Sequence, residues 1–128
     1  LVGSSILANY YVQENLGILA GHFPGRPILP GVVQIEMMAQ AACFGIMPIL
    51  MIKEGKSSWL NTKFEVALAK VEVAKFRKPI LPGAHLKIFS LCTKVRGRVH
   101  CYDCHIKNGA DGEIFSETSL MAHHNIWA

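Results

Sequence analysis

From Gly31 to about Met51 the chain carries apolar side chains on nearly every face of a helix: Val32, Val33, Ile35, Met37, Met38, Ala41, Ala42, Cys43, Phe44, Ile46 and Met47. A helix that is apolar all round must be enclosed by other elements. This requirement constrains the fold more than any other feature, because the rest of the chain has to supply the enclosing surface. Gly45 and Pro48 interrupt the stretch, so it reads as a buried core helix rather than a bilayer span, with Pro48 expected to kink or end it.

The enclosing surface is β-rich. Residues 5 to 13 read as a strand, and Lys63 to Lys78, His85 to Arg96, Arg98 to Lys107 and Glu113 to His123 are further strand segments. Turn signals separate them: Pro79-Ile80-Leu81-Pro82-Gly83, then Gly97, then the hairpin turn Asn108-Gly109-Ala110-Asp111-Gly112. Lys53 to Ser58 read as an exposed loop. One central helix with a run of antiparallel strands predicts an α+β fold in which the sheet curls around the helix. No repeat or linker divides the 128 residues, so residues 1–128 form a single domain, small enough for an oligomer to help it bury apolar surface.

Composition narrows the function classes. With 51% hydrophobic and 17% charged residues the chain is not disordered. The net charge of +4 is concentrated between Lys70 and Lys107, which is either a solvated face or a docking patch for an acidic partner. Nucleic acid is a poor fit, because the basic residues are not interleaved with a recognition motif. Four cysteines without a secretory signal point to a reducing, cytoplasm-like compartment rather than a disulfide framework. His100-Cys101-Tyr102-Asp103-Cys104-His105 invites a zinc reading, but on a strand Cys101 and Cys104 point to opposite faces, so no metal site is expected.

The residues with chemical potential lie just before and inside the helix. His22 sits in Gly21-His22-Phe23-Pro24-Gly25, and Glu36 follows in Val32-Val33-Gln34-Ile35-Glu36-Met37-Met38-Ala39-Gln40. Between them Arg26-Pro27-Ile28-Leu29-Pro30-Gly31 is too rich in Pro and Gly for helix and reads as a loop ending at a helix start. Removing an α-proton from a thioester needs a base that titrates near neutrality, which suits His22. It also needs stabilisation of the developing enolate oxygen, which the free amides of Gly31 and Val32 at the helix N-terminus can supply. Expelling a β-hydroxyl needs a proton donor, and Glu36 fits where apolar neighbours favour its protonated form, with Gln40 one turn on to orient it. Alone, His22 is as well explained by loop structure and Glu36 by an ordinary ion pair.

The combination is more specific. The run from Gly21 to Val32, followed by Ile35-Glu36 and Met38-Ala39-Gln40, resembles the signature of the (3R)-hydroxyacyl-acyl carrier protein dehydratases of the FabZ type; Phe76-Arg77-Lys78-Pro79 and Pro82-Gly83 are similar to a second family anchor. The resemblance implies the hot-dog fold, a catalytic pair of His22 and Glu36 from opposite protomers of a homodimer, a trimer-of-dimers assembly, acyl carrier protein as the partner, and no cofactor. Glu36 stands where the FabA-type dehydratase-isomerases carry aspartate. Family members have an N-terminal segment with a Pro-His-Arg-Tyr-Pro-like start that this chain is read as lacking, and Lys70-Val71 replaces their usual Gly-Ile.

On this reading Ile28, Leu29, Val33, Met37 and Phe64 line an acyl tunnel, although core packing explains each as well. Lys75, Arg77, Lys78, Arg96 and Arg98 meet the carrier protein or its phosphopantetheine phosphate, or form a solvated face. The rivals are a hot-dog thioesterase or coenzyme A hydratase, and a catalytically silent acyl-binding subunit.

Overall fold

A computed structural model describes residues 2–14, 25, 27–53, 55 and 63–127. Among the described residues, five strands and one helix follow one another as β1 (Ser5–Tyr11), α1 (Gly31–Lys53), β2 (Lys63–Phe76), β3 (His85–Arg96), β4 (Val99–Asn108) and β5 (Ile114–Trp127). The strands form one sheet in the order β1-β3-β4-β5-β2, and every neighbouring pair is antiparallel. The expected α+β architecture is therefore present.

Strand periodicity sorts the two faces of the sheet. Leu86, Ile88, Ser90 and Cys92 on β3 point inward, as do His100, Tyr102, Cys104 and Ile106 on β4 and Ser116, Thr118, Leu120, Ala122 and His124 on β5. Against this face α1 lays Gln34, Met38, Ala41, Ala42, Ile46 and Leu50, all buried. Cys101 points outward and Cys104 inward, as the period of two requires, and all four cysteines are free thiols. The hairpin turn forms as read from sequence. The Asn108 N–H donates to the Glu113 carbonyl at 2.8 Å, the Gly112 N–H to the Asn108 carbonyl at 2.8 Å, and Gly112 takes a φ of 77°.

Several boundaries differ from expectation by one or more residues, and three of them have a cause in the structure. β2 stops at Phe76, because the Arg77 and Lys78 amides both turn to the Phe115 carbonyl. β5 runs on to Trp127, burying His124 in a ladder with β2 and β4. Pro48 does not end α1, which continues to Lys53. Proline removes the hydrogen bond to the carbonyl four residues back, and here both Pro48 and Phe44 are exposed, so that carbonyl lies on the outer side of the helix. The helix is also long and apolar enough by length and composition to cross a membrane, contrary to the sequence reading, yet its inner side is packed on the sheet.

Enclosure of the helix is incomplete. Val32, Glu36, Gln40, Phe44, Pro48 and Ile52 recur every four residues and form an exposed stripe, with Val32 at 76% and Ile52 at 77% exposure. The described residues enclose one side of α1 and leave an apolar stripe on the other. On edge strand β2, the exposed residues Leu68, Val71 and Phe76 register with the inward-facing Ala122, Leu120 and Ser116, so this apolar inner face extends past the helix.

At Gly45 the helix crosses β1 so closely that an added Cβ would stand 2.9 Å from Ile6 Cβ and 2.9 Å from Ile6 Cγ2. A β-branched side chain cannot swing aside, so Gly45→Ala is expected to destabilise the domain by about 1–3 kcal/mol through overpacking. Urea unfolding would measure it; an unchanged midpoint would mean that β1 yields freely.

Candidate active site

The start of α1 is held from three sides. The Leu29 N–H donates to the Ile80 carbonyl at 2.9 Å, tying the preceding loop to the β2–β3 connection. From inside, the buried Gln34 side chain donates through Nε2 to the Leu29 carbonyl at 3.0 Å. The Pro30 carbonyl accepts from the Val33 and Gln34 amides, each at 3.1 Å. Helix geometry then leaves the Gly31 and Val32 amides without an intrahelical partner, aimed off the helix end with the positive pole of the dipole. The third contact is Phe76, whose ring stands against Gly31: an added Cβ there would lie 2.9 Å from the ring Cζ.

One turn further on, Gln40 Nε2 donates to Glu36 Oε1 at 3.0 Å. The orienting role expected of Gln40 therefore has its hydrogen bond. Glu36 sits on the exposed stripe rather than inside the core, so the costly buried carboxylate anticipated from its apolar neighbours is absent from the single chain. It opens, with Gln40, Cys43, Met47, Val66 and Leu68, into a cavity of about 290 Å³ between α1 and the β2 side of the sheet. The Cys43 thiol is pushed up to about 11, first by burial and then by the Glu36 charge.

His22 lies outside the described residues, as do Gly21, Phe23, Pro24 and Arg26. Leu29, Val33 and Met37 come together, lining a cavity of about 430 Å³ closed by Ile6, Tyr10 and Phe44. That cavity lies on the β1 flank of the helix, opposite the one that Glu36 enters; Gln40 and Phe44 line both. Ile28 is half-buried in the loop before α1, and Phe64 belongs to β2 with its side chain outside the described set. Cys43 and Met47, which the sequence reading did not single out, share the cavity with Glu36. Their helical spacing from it, positions 36, 40, 43 and 47, was the available signal.

The basic residues do not form one patch. Arg77 Nη2 pairs with Glu117 Oε2 at 2.6 Å and Lys78 pairs with Glu113, so both are engaged by acids, one on β5 and one just before it. Lys75 registers with Glu117, whereas Arg96 and Arg98 flank the Gly97 turn beside His123. Glu117 and His123 stand six positions apart on β5, about 20 Å along an extended strand. Among the described residues no three His, Cys, Asp or Glu side chains group closely enough to hold a metal ion.

The antiparallel sheet packed on its long helix defines a hot-dog fold. A family model described as ApeI-like, ApeI dehydratase, matches residues 2–117, and the chain belongs to that dehydratase family. It is 38% identical over 122 residues to the 3-hydroxyacyl-[acyl-carrier-protein] dehydratase FabZ of Erythrobacter litoralis, covering 94% of this chain and 74% of the relative. It is 35% identical to that of Ehrlichia chaffeensis, covering 92% and 73%. The match to the bifunctional enzyme LpxC/FabZ of Chlorobaculum tepidum is 42% identical and covers 87% of this chain but only 22% of that larger protein. Among solved structures, a thioesterase-superfamily protein of Thermus thermophilus superposes with a TM-score of 0.74 at 15% identity, covering 98% of this chain and 83% of that one. The dehydratase heterocomplex ApeI:P of Xenorhabdus doucetiae superposes with a TM-score of 0.66 at 19% identity, covering 95% and 89%; both share the fold.

Proposed function

We propose that this chain dehydrates (3R)-3-hydroxyacyl groups carried on acyl carrier protein to trans-2-enoyl thioesters, as a hydro-lyase of type II fatty acid biosynthesis. The observation that carries the reading is Glu36, oriented by Gln40 and opening into an apolar cavity one turn beyond the helix N-terminus at Gly31. His22 removes the α-proton of the thioester, and the Gly31 amide donates to the carbonyl oxygen as negative charge develops there. Glu36 gives its proton to the departing β-hydroxyl, which leaves as water while the Cα–Cβ double bond forms. Return of the proton from His22 to Glu36 through solvent resets both groups. Both steps are proton transfers and need neither redox cofactor nor metal.

The active unit is a homodimer, in which His22 of one protomer faces Glu36 of its partner; three dimers to a hexamer follow from the same resemblance. The apolar stripe from Val32 to Ile52 and the uncovered inner face of β2, on either side of Glu36, support a second copy seated there. Glu36 would become enclosed on that association. Lys75, Arg77 and Lys78 form one basic contact for the carrier protein and Arg96 with Arg98 another. Leu29, Val33 and Met37, with Ile28 and Phe64, remain candidates to hold the acyl chain, and the Glu36 cavity offers a second course along Cys43 and Met47. Four free thiols suit a cytoplasmic location.

The test is to incubate the protein with a 3-hydroxyacyl carrier protein, following enoyl-thioester absorbance and free thiol together. The expected result is an absorbance change that stops at equilibrium, with no thiol released. Thiol release would identify a thioesterase, and silence from a folded dimer a non-catalytic subunit. His22→Ala is expected to abolish turnover while leaving thermal unfolding unchanged; retained turnover would remove the histidine from the mechanism.

A further inference from the structure

Phe76 ends β2 opposite the fully buried Ser116, which places its side chain on the inner face of the sheet. The ring reaches the first residue of α1. A Cβ built on Gly31 would meet Cζ at 2.9 Å, Cε1 at 3.0 Å and Cε2 at 3.3 Å, so three ring atoms occupy the volume that any side chain at position 31 requires. Half of Phe76 remains exposed, so the ring is not a core residue that happens to touch the helix. The segment that follows is anchored twice: the Arg77 amide donates to the Phe115 carbonyl at 2.8 Å, and Ile80 accepts from Leu29. The ring is therefore presented to Gly31 by a backbone fixed on both sides.

We propose that Phe76 is a positioning residue of the dehydration: its ring sets where the Gly31 amide stands and walls the thioester carbonyl site beside it. The inference rests on the reading that the Gly31 N–H polarises that carbonyl. A hydrogen-bond donor stabilises an oxyanion only when it stands at the right distance from where the charge develops, and a misplacement of about 1 Å costs on the order of 100-fold. An apolar ring beside Gly31 would also limit the water that competes for its amide, which strengthens the bond to substrate. The absence of a side chain at Gly31 and the presence of the ring at Phe76 are then two halves of one arrangement, and the two positions must be energetically coupled.

A double-mutant cycle reads that coupling. Phe76→Ala is expected to lower kcat about tenfold, with a smaller change in KM, because the carbonyl site is lost more than ground-state binding. Phe76→Leu, which restores apolar bulk, should stay within about threefold of the parent. Gly31→Ala should lower kcat about tenfold when Phe76 is present, but by less than about threefold in the Phe76→Ala background, where the methyl group has room. If Phe76→Ala does not fold, Phe76→Val carries the same cycle. A merely structural Phe76 would lower the unfolding temperature and leave kcat per folded molecule intact. That result, or an equal Gly31→Ala effect in both backgrounds, overturns the proposal. Glu36→Gln assayed in parallel separates the two levels. No enoyl-thioester formation by the parent protein would sink the dehydration reading itself, whereas an active parent with an inactive Glu36→Gln and an additive cycle would sink only the role of Phe76.

Discussion

Glu36→Gln is expected to lower kcat by about 10²–10⁴-fold, the usual worth of a positioned general acid, while leaving stability within about 0.5 kcal/mol. The substitution keeps the shape of the side chain and the acceptor oxygen that receives the Gln40 Nε2–H, and it removes only the transferable proton. Because Glu36 lies on the exposed stripe of the chain, no buried charge is created or stranded. The assay is enoyl-thioester formation under saturating substrate, and undiminished kcat would show that another group protonates the leaving hydroxyl. Mixing adds a sharper version. Inactive Glu36→Gln and inactive His22→Ala protomers, dissociated and reassociated, should recover about a quarter of parental activity. Half of the dimers would then be mixed, and each mixed dimer would hold one intact pair and one doubly damaged pair. A site built within a single protomer would recover nothing.

The second large effect is acid lability. His124 is 2% exposed and His100 1% exposed, with their rings 4.6 Å apart edge to face. Tyr102 Oη lies 2.8 Å from His124 Nε2. Burial, reinforced by nearby thiols, pushes the Tyr102 phenol far above its ordinary range, so it stays a neutral hydroxyl and donates to a neutral imidazole. Burial, then the positive charge available to His100 and His123, lowers His124 to about 4. Among the groups around this imidazole are Tyr102 and His100 on β4 and His123 beside it on β5, and the Arg98 carbonyl accepts the His124 backbone N–H at 2.8 Å.

The sign follows from linkage. Below about pH 6.5 the unfolded chain protonates this histidine and the native chain does not, so stability is full above that value. It falls by about 1.4 kcal/mol per pH unit until the native imidazole titrates near 4. His105, also lowered chiefly by burial, acts in the same direction. Urea unfolding at a series of pH values should show a steeper loss for the parent than for His124→Gln, whose amide oxygen can still accept from Tyr102. Parallel slopes would refute the assignment. For a domain whose whole stability is about 5–15 kcal/mol, two pH units of such loss are a substantial fraction.

Local chemistry was legible in the sequence where it alone decides the structure. The helix begins at Gly31 because Pro27 and Pro30 forbid an earlier start, and the Asn108–Gly112 turn forms because its glycine accepts a positive φ. Gln40 reaches Glu36 because four residues make a turn. What was not legible depends on partners distant in the chain. Which flank of α1 faces which strand is set by the sheet order, so Val33 and Met37 and Glu36 were grouped in sequence but open into different cavities. The polar look of His123-His124 suggested a strand end, and the ladder with Val66 and Val99 overrode it. Arg77 and Lys78 looked available until β5 and the turn before it supplied Glu117 and Glu113. An all-apolar helix implied full enclosure, yet the described residues cover only one side of it.

The pairing of β2 with β5 is also interrupted twice, between Leu68 and Lys70 and between Val71 and Val73, leaving Ala69 and Glu72 out of register. A flat edge strand of fourteen residues would be a template for open-ended cross-β growth. Two bulges bend and twist it, so an arbitrary extended segment cannot follow its path. A copy related by a two-fold axis carries the same bends and can match them once, after which no edge of that kind is left. The irregularity thus makes this edge a poor template for amyloid-like polymerisation.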